Sequence, residues 1–257
     1  MINKIKNFFI IVVLSTLGLL IGSCSKKEDF HTEKLLLELP DTDCTVLPCA
    51  TLDISIIRIF GLENSEKINS KIEKHIINIL DTDQKGAHQT VEEAMLAFND
   101  MYVTMKSQFS EELFTYEATV DCNVHYQSVD LLTVEMDHYL FTGGAHGYEG
   151  VSFIHFNPQT GQELSINELF KNPKKIAQLC EKAFRVQNHI SSEKSINSTG
   201  FNFENDQFYL PENIAFEKDS LLLYYNTYEI NPYVSSNTLL KVPLSQLKDQ
   251  LKVDIIE

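Results

Sequence analysis

Residues 8–21 form an apolar run interrupted only by Ser15, Thr16 and Gly18, and the run stops after fourteen residues. As an α-helix it would be about 21 Å long, short of the roughly 30 Å of hydrocarbon that a spanning helix must cross. Asn3, Lys4 and Lys6 give it a polar, positive start, and small residues close it. That is the order of a secretory signal. The fold is therefore left to the residues that follow, which would meet an oxidising compartment.

Ile21-Gly22-Ser23-Cys24 resembles the lipobox read by lipoprotein signal peptidase. Small residues there admit the backbone, and the cysteine thiol takes a diacylglyceryl group. The expectation is a signal peptide over 1–23, lipidation at Cys24 and a tether over 24–50, with the membrane as partner through that lipid. Ser25-Lys26-Lys27-Glu28-Asp29 resembles the lysine-then-acid signal that sends some lipoproteins to the outer face of Gram-negative cells. A charge run near a terminus is also an ordinary solvated tether. The expected location is the cell envelope, as a membrane-anchored lipoprotein at the outer membrane or cell surface.

From Cys24 onward 234 residues remain, enough for one large domain or two small ones. Net charge is −15, and removing Lys4 and Lys6 takes it to −17. Such a chain repels polyanions, so nucleic acid is not an expected partner. Cationic partners would be attracted and their encounter hastened. Besides Cys24 there are four cysteines. Cys44 and Cys49 enclose a four-residue loop that a disulfide could close. Cys122 and Cys180 either pair across the core or remain two buried thiols. Neither CxxC nor HxxxH occurs, so no metal or other cofactor is expected.

Periodicity divides the rest. Over 51–60, Leu52, Ile54 and Ile56 alternate with Asp53, Ser55 and Arg58, a strand. Over 64–80, Ile68, Ile72, Ile76 and Ile79 recur at three and four residues, a helix face. Thr90 and Glu93 read as a capping box opening a second helix. Residues 114–125 and 129–140 alternate around Gln127-Ser128, a hairpin, and 151–156 is a third strand. Ser165 and Glu168 form a second capping box, and Pro173 suits the first turn of a helix running to about 190. Strands are expected over 207–210, 214–217, 221–230 and 239–242, and a short helix over 245–251. Strands and helices are grouped rather than alternating. The class is α+β: two small subdomains, 51–150 and 151–257, of antiparallel sheets with packed helices.

Four glycines lie between 143 and 150. Thr142-Gly143-Gly144-Ala145-His146-Gly147 thus needs unusual backbone angles or a close approach by another chain. No Walker lysine or GxGxxG-to-helix context makes it a phosphate loop. His146 is either a general base or a histidine bonded to backbone in a tight connection between strands.

The stretch from Tyr139 through Gly147 resembles the "YTGGAH" strand-loop of a two-domain extracellular family. Gly161-Gln162-Glu163-Leu164 with Leu169-Phe170 is similar to its entry into a second domain. Leu221 to Tyr225 with Tyr228-Glu229-Ile230-Asn231-Pro232-Tyr233 resembles its "YeiaPYa" strand, and Val242-Pro243 its close. Members include the lysozyme-sensing anti-sigma-V factors, and the first domain also precedes the catalytic module of a peptidoglycan deacetylase. The resemblance implies an α+β fold in the cell envelope. Neither an anti-sigma segment nor a deacetylase module is evident here, so the sensing or binding pair is what is expected.

The expected function is a non-catalytic envelope binding protein for a lysozyme-like protein or a peptidoglycan-type glycan. Its candidate contacts are Gly143, Gly144, His146, Gly147, Pro232 and Tyr233, since exposed loops carry function and tyrosine favours interfaces. One alternative is a hydrolase using His146 with Glu149 or Glu229. The other is a structural or assembly lipoprotein.

Overall fold

A computed structural model describes residues 30–40, 42–45, 48–82, 86, 88–109, 114–231 and 237–255. The leader, Cys24 with the charges behind it, Pro232 and Tyr233 lie outside the described residues. No described helix is long and apolar enough to cross a membrane.

The chain is α+β, with two sheets and two cores. The first sheet sets β1 (His31–Leu37), β2 (Thr51–Phe60), β3 (Glu117–Gln127), β4 (Leu132–Phe141) and β5 (Tyr148–Phe156) side by side in that order. Two helices, α1 (Ser65–Leu80) and α2 (Val91–Gln108), lie between β2 and β3. So long a return lets β3 enter in the same direction as β2. That pair is parallel and the other three are antiparallel, so the expected antiparallel arrangement holds with one parallel pair at the crossover.

On α1, Ile68, Ile72 and Ile76 are fully buried against the sheet. Transfer from water makes each worth ~1.5–3 kcal/mol. Asn69 lies on the same face, and its amide bonds both the N–H and the C=O of Ile59 at 2.9 Å. At the start of α2, the Thr90 hydroxyl accepts from Glu93 N at 3.1 Å. Glu93 returns its carboxylate to Gln89 N, 2.7 Å away, one residue earlier than a capping box would place it.

The stretch read as tether begins to fold earlier than expected. β1 pairs along β2, with Leu35 opposite Ile56 and Leu37 opposite Ile54. Most of its residues are exposed, so this edge strand has no buried alternation to read.

The second unit is an antiparallel meander of β6 (Ile214–Phe216), β7 (Ser220–Tyr225) and β8 (Thr238–Pro243). With it pack α3 (Ile166–Leu169), opened by the Ser165–Glu168 capping box, and α4 (Pro173–Gln187). Residues 207–210 make no strand. Phe208 and Tyr209 instead join Phe184, Phe203 and Tyr225 in an aromatic core, with the Phe203 and Tyr225 rings 5.8 Å apart. β7 ends at Tyr225 rather than 230, because Asn226 leaves the ladder and Tyr228 takes a positive φ of 72°. Residues 245–251 form two 3-10 turns, Leu244–Gln246 and Lys248–Gln250, not one helix.

A division at 150/151 cuts β5 in two; the first sheet continues to Phe156. The units are joined along this strand. The Asn226 amide bonds both backbone groups of Val151, and Phe153 N donates to Asn213 Oδ1 at 3.3 Å. His155 is buried between Thr133 Oγ1 (3.0 Å) and the Ile214 carbonyl (2.7 Å). The C-terminal segment straps the second unit to the β3–β4 turn. Tyr126 and Ser128 donate their hydroxyls to the carbonyls of Ile255 and Asp254.

Cys44 and Cys49 are disulfide-bonded. Cys122 is in the first core and Cys180 in the second, both free and buried, so they do not pair. Burial pushes each thiol up to about 12.

Candidate binding surface

The connection from β4 to β5 is the glycine loop, 142–147. Gly143 and Gly144 hold φ at 93° and 96°, in the left-handed region that L side chains avoid. Gly147 has a different reason: a Cβ there would lie 2.4 Å from the Tyr139 ring. The loop can be this tight because two positions tolerate the turn and one tolerates the ring.

The loop lies against the turn that follows β7. His146 is exposed, its Nδ1 3.2 Å from the Gly147 carbonyl and its Nε2 3.4 Å from the Tyr228 hydroxyl. The two rings lie 6.3 Å apart. Two segments singled out in the sequence, 143–147 and the start of 228–233, therefore meet; Pro232 and Tyr233 themselves are not described. Glu229, offered as a carboxylate partner for His146, accepts from Asn226 N at 3.0 Å and so braces its own turn. Burial, opposed by that bond, holds its carboxyl above the usual carboxylate range.

Beside the loop, the face of the first sheet away from its helices is acidic. Period-two alternation places Asp121, Asn123, Glu135, Asp137 and Tyr139 on that face. Glu149 stands opposite Tyr139 across β4 and β5. Asp121 is directly opposite Asp137, a like-charge pair of a kind that costs stability. Lys34 relieves half of it: its ammonium lies 2.5 Å from Asp121 and holds that carboxyl below its ordinary value. Asp137 is pushed the other way, by burial first and then by Glu135, Asp121 and Glu149. Tyr224, on the second unit, is raised by burial and by Glu149, Asp137 and Glu135. Both units thus contribute to one acidic, tyrosine-bearing surface. His125 borders it, 2.8 Å from Glu135 and edge-on to Phe153.

The acidic row escaped sequence reading, although Asp121-x-Asn123 and Glu135-x-Asp137-x-Tyr139 carry its alternation. Only the register shows that the two rows are neighbours. Among the described residues no group of three or more His, Cys, Asp or Glu is placed to hold a metal.

Residues 45–149 match the family described as deacetylase PdaC, and residues 167–245 match the protein family of unknown function DUF3298. The chain is thus similar to the PdaC family over its first unit and to the DUF3298 family over its second. The glycine loop ends the PdaC-type match, the Tyr228 turn lies inside the DUF3298 match, and most of β5 lies between them. Two solved structures of the DUF3298 family share the fold. One, from Bacteroides fragilis, is 17% identical with a TM-score of 0.65, covering 88% of this chain and 95% of that one. The other, from Pseudomonas aeruginosa, is 21% identical with a TM-score of 0.60, covering 90% and 98%. No curated protein sequence matches.

Proposed function

We propose that this PdaC-type and DUF3298 pair is a non-catalytic binding protein of the cell envelope, anchored by lipid at Cys24, that captures a cationic, lysozyme-like protein. The observation that carries the reading is Asp137, an exposed carboxylate set against Asp121, Glu135 and Glu149, while the lysine on this face, Lys34, is ion-paired with Asp121. A lysine or arginine from a partner would relieve that repulsion, and Tyr224 beside it offers a ring face to the same cation. The His146–Tyr228 contact sets the loop at the rim of this surface. The net charge of −15 would speed the encounter.

A peptidoglycan-type glycan is the second reading, favoured by the exposure of Tyr148 and Tyr228 beside the glycine loop. Calorimetric titration with hen-type lysozyme and with peptidoglycan fragments, each at two salt concentrations, separates the two. Lysozyme binding that weakens with salt supports the first reading. Salt-insensitive binding of glycan alone replaces it with the second. No heat from lysozyme at ~100 μM, a limit of about −5.5 kcal/mol, removes the protein-ligand reading. The surface display that 25–29 resembles would place this capture outside the outer membrane.

A further inference from the structure

The second unit holds a cavity on the side formed by the β6–β7 turn, the two 3-10 turns and the C-terminal segment. Its volume is about 390 Å³, near the small end of ligand pockets. Leu244, Leu251 and Ile255 supply apolar walls, and Lys218 and Lys248 reach it from separate turns. Neither ammonium is ion-paired among the described residues. The one acid lining the cavity, Asp219, accepts from the Ser220 hydroxyl at 2.7 Å.

This placement runs against the character of the chain. With 36 acids to 21 bases, an exposed pair of lysines around an apolar hollow is a local reversal of sign. An apolar hollow alone would take any small hydrophobe. Two cations at its lining select among hydrophobes for those with a negative head, because the head gains a charge-assisted bond while the tail leaves water. The geometry points to a binding site for a small amphipathic anion, a carboxylate or phosphate monoester carrying a hydrocarbon tail. The site is separate from the acidic surface and does not rest on the proposed capture of a cationic protein.

Titrating the purified protein with decanoate, decyl phosphate, decanol and acetate tests this. The expected result is saturable binding of at least one of the two anionic amphiphiles, with decanol and acetate each at least tenfold weaker. Which anion binds more tightly distinguishes a free fatty acid from a lipid phosphate as the source. Reversal of both exposed lysines (Lys218→Glu with Lys248→Glu) is expected to weaken the anion at least tenfold and leave decanol unchanged. Ser245→Trp, at an exposed lining position, is expected to block all tails while the far-ultraviolet spectrum stays native. Absence of saturable anion binding up to about 1 mM, or anion binding unchanged by the double reversal, overturns the assignment.

Discussion

The side-chain amide of Asn226 makes both hydrogen bonds to the backbone of Val151: Val151 N donates to Oδ1 and Nδ2 donates to Val151 O, each at 2.9 Å. It occupies the place a sixth strand would take at the edge of the first sheet. Asn213 does the same for Phe153 N, at 3.3 Å. The second unit therefore closes the β5 edge with side chains, which guards it against edge-to-edge pairing.

Asn226→Ala should leave two buried backbone groups of Val151 without partners. The expected loss is about 1–3 kcal/mol of unfolding free energy, read by urea denaturation. Asn226→Asp keeps the acceptor for Val151 N but sets a carboxylate against Val151 O, and is expected to cost more than Ala. Equal stability of wild type and both variants would contradict the capping role.

His155 gives the joint a pH dependence. Burial lowers its pKa to about 4, against an ordinary value of about 6.5. The unfolded chain therefore binds more protons between those two values, and stability is lost as pH falls through that window, by about 3 kcal/mol in all. Above about 6.5 the contribution of neutral His155 is complete. The difference in unfolding free energy between wild type and His155→Gln should shrink as pH is taken from 7 to 4.5. A constant difference would show that the imidazole is not held neutral.

Gly144 and Gly147 should respond differently to alanine. At Gly144 nothing lies within 4 Å of the added Cβ, so only the backbone angle is strained, at roughly 1–2 kcal/mol. At Gly147 the methyl displaces the Tyr139 ring. Removing that ring with Tyr139→Ala should lessen the cost of Gly147→Ala and leave that of Gly144→Ala unchanged, a contrast a double-mutant cycle reads directly.

Cysteine reactivity should report on the integrity of both cores. Cys122 and Cys180 are expected to stay silent to a thiol reagent in the native protein and to react once it is unfolded, since burial keeps both protonated. Breaking the Cys44–Cys49 bridge should cost about 2 kcal/mol, the chain-entropy value for so short a loop. Fast labelling of either core thiol in the folded protein would contradict their placement.

What could be read from sequence follows from where the information sits. Ile68, Ile72 and Ile76 repeat one helix face within a single segment, and the β3–β4 hairpin alternates around its own turn, so both were legible. β1 was not, because an exposed edge strand such as His31–Leu37 need not alternate. The parallel pairing of β2 with β3 depends on a crossover, which no local pattern encodes. Phe208 and Tyr209 show the apolar spacing of a strand but spend it on ring packing around Tyr225. The glycine loop stood out by composition. Its contact with Tyr228, and the facing of Asp121 and Asp137, are long-range relations that exist only in the fold.

The measurement that bears most directly on the central claim is Asp137→Asn, followed in parallel by thermal unfolding and by lysozyme titration at low salt. Asp137 is raised by burial and by three neighbouring acids, so replacing it should stabilise the free protein by up to ~1 kcal/mol after solvent screening. If the same repulsion is what a cationic partner relieves, the variant should also bind lysozyme more weakly, with a shallower salt dependence. A variant that is no more stable and binds lysozyme as tightly as wild type would contradict the account.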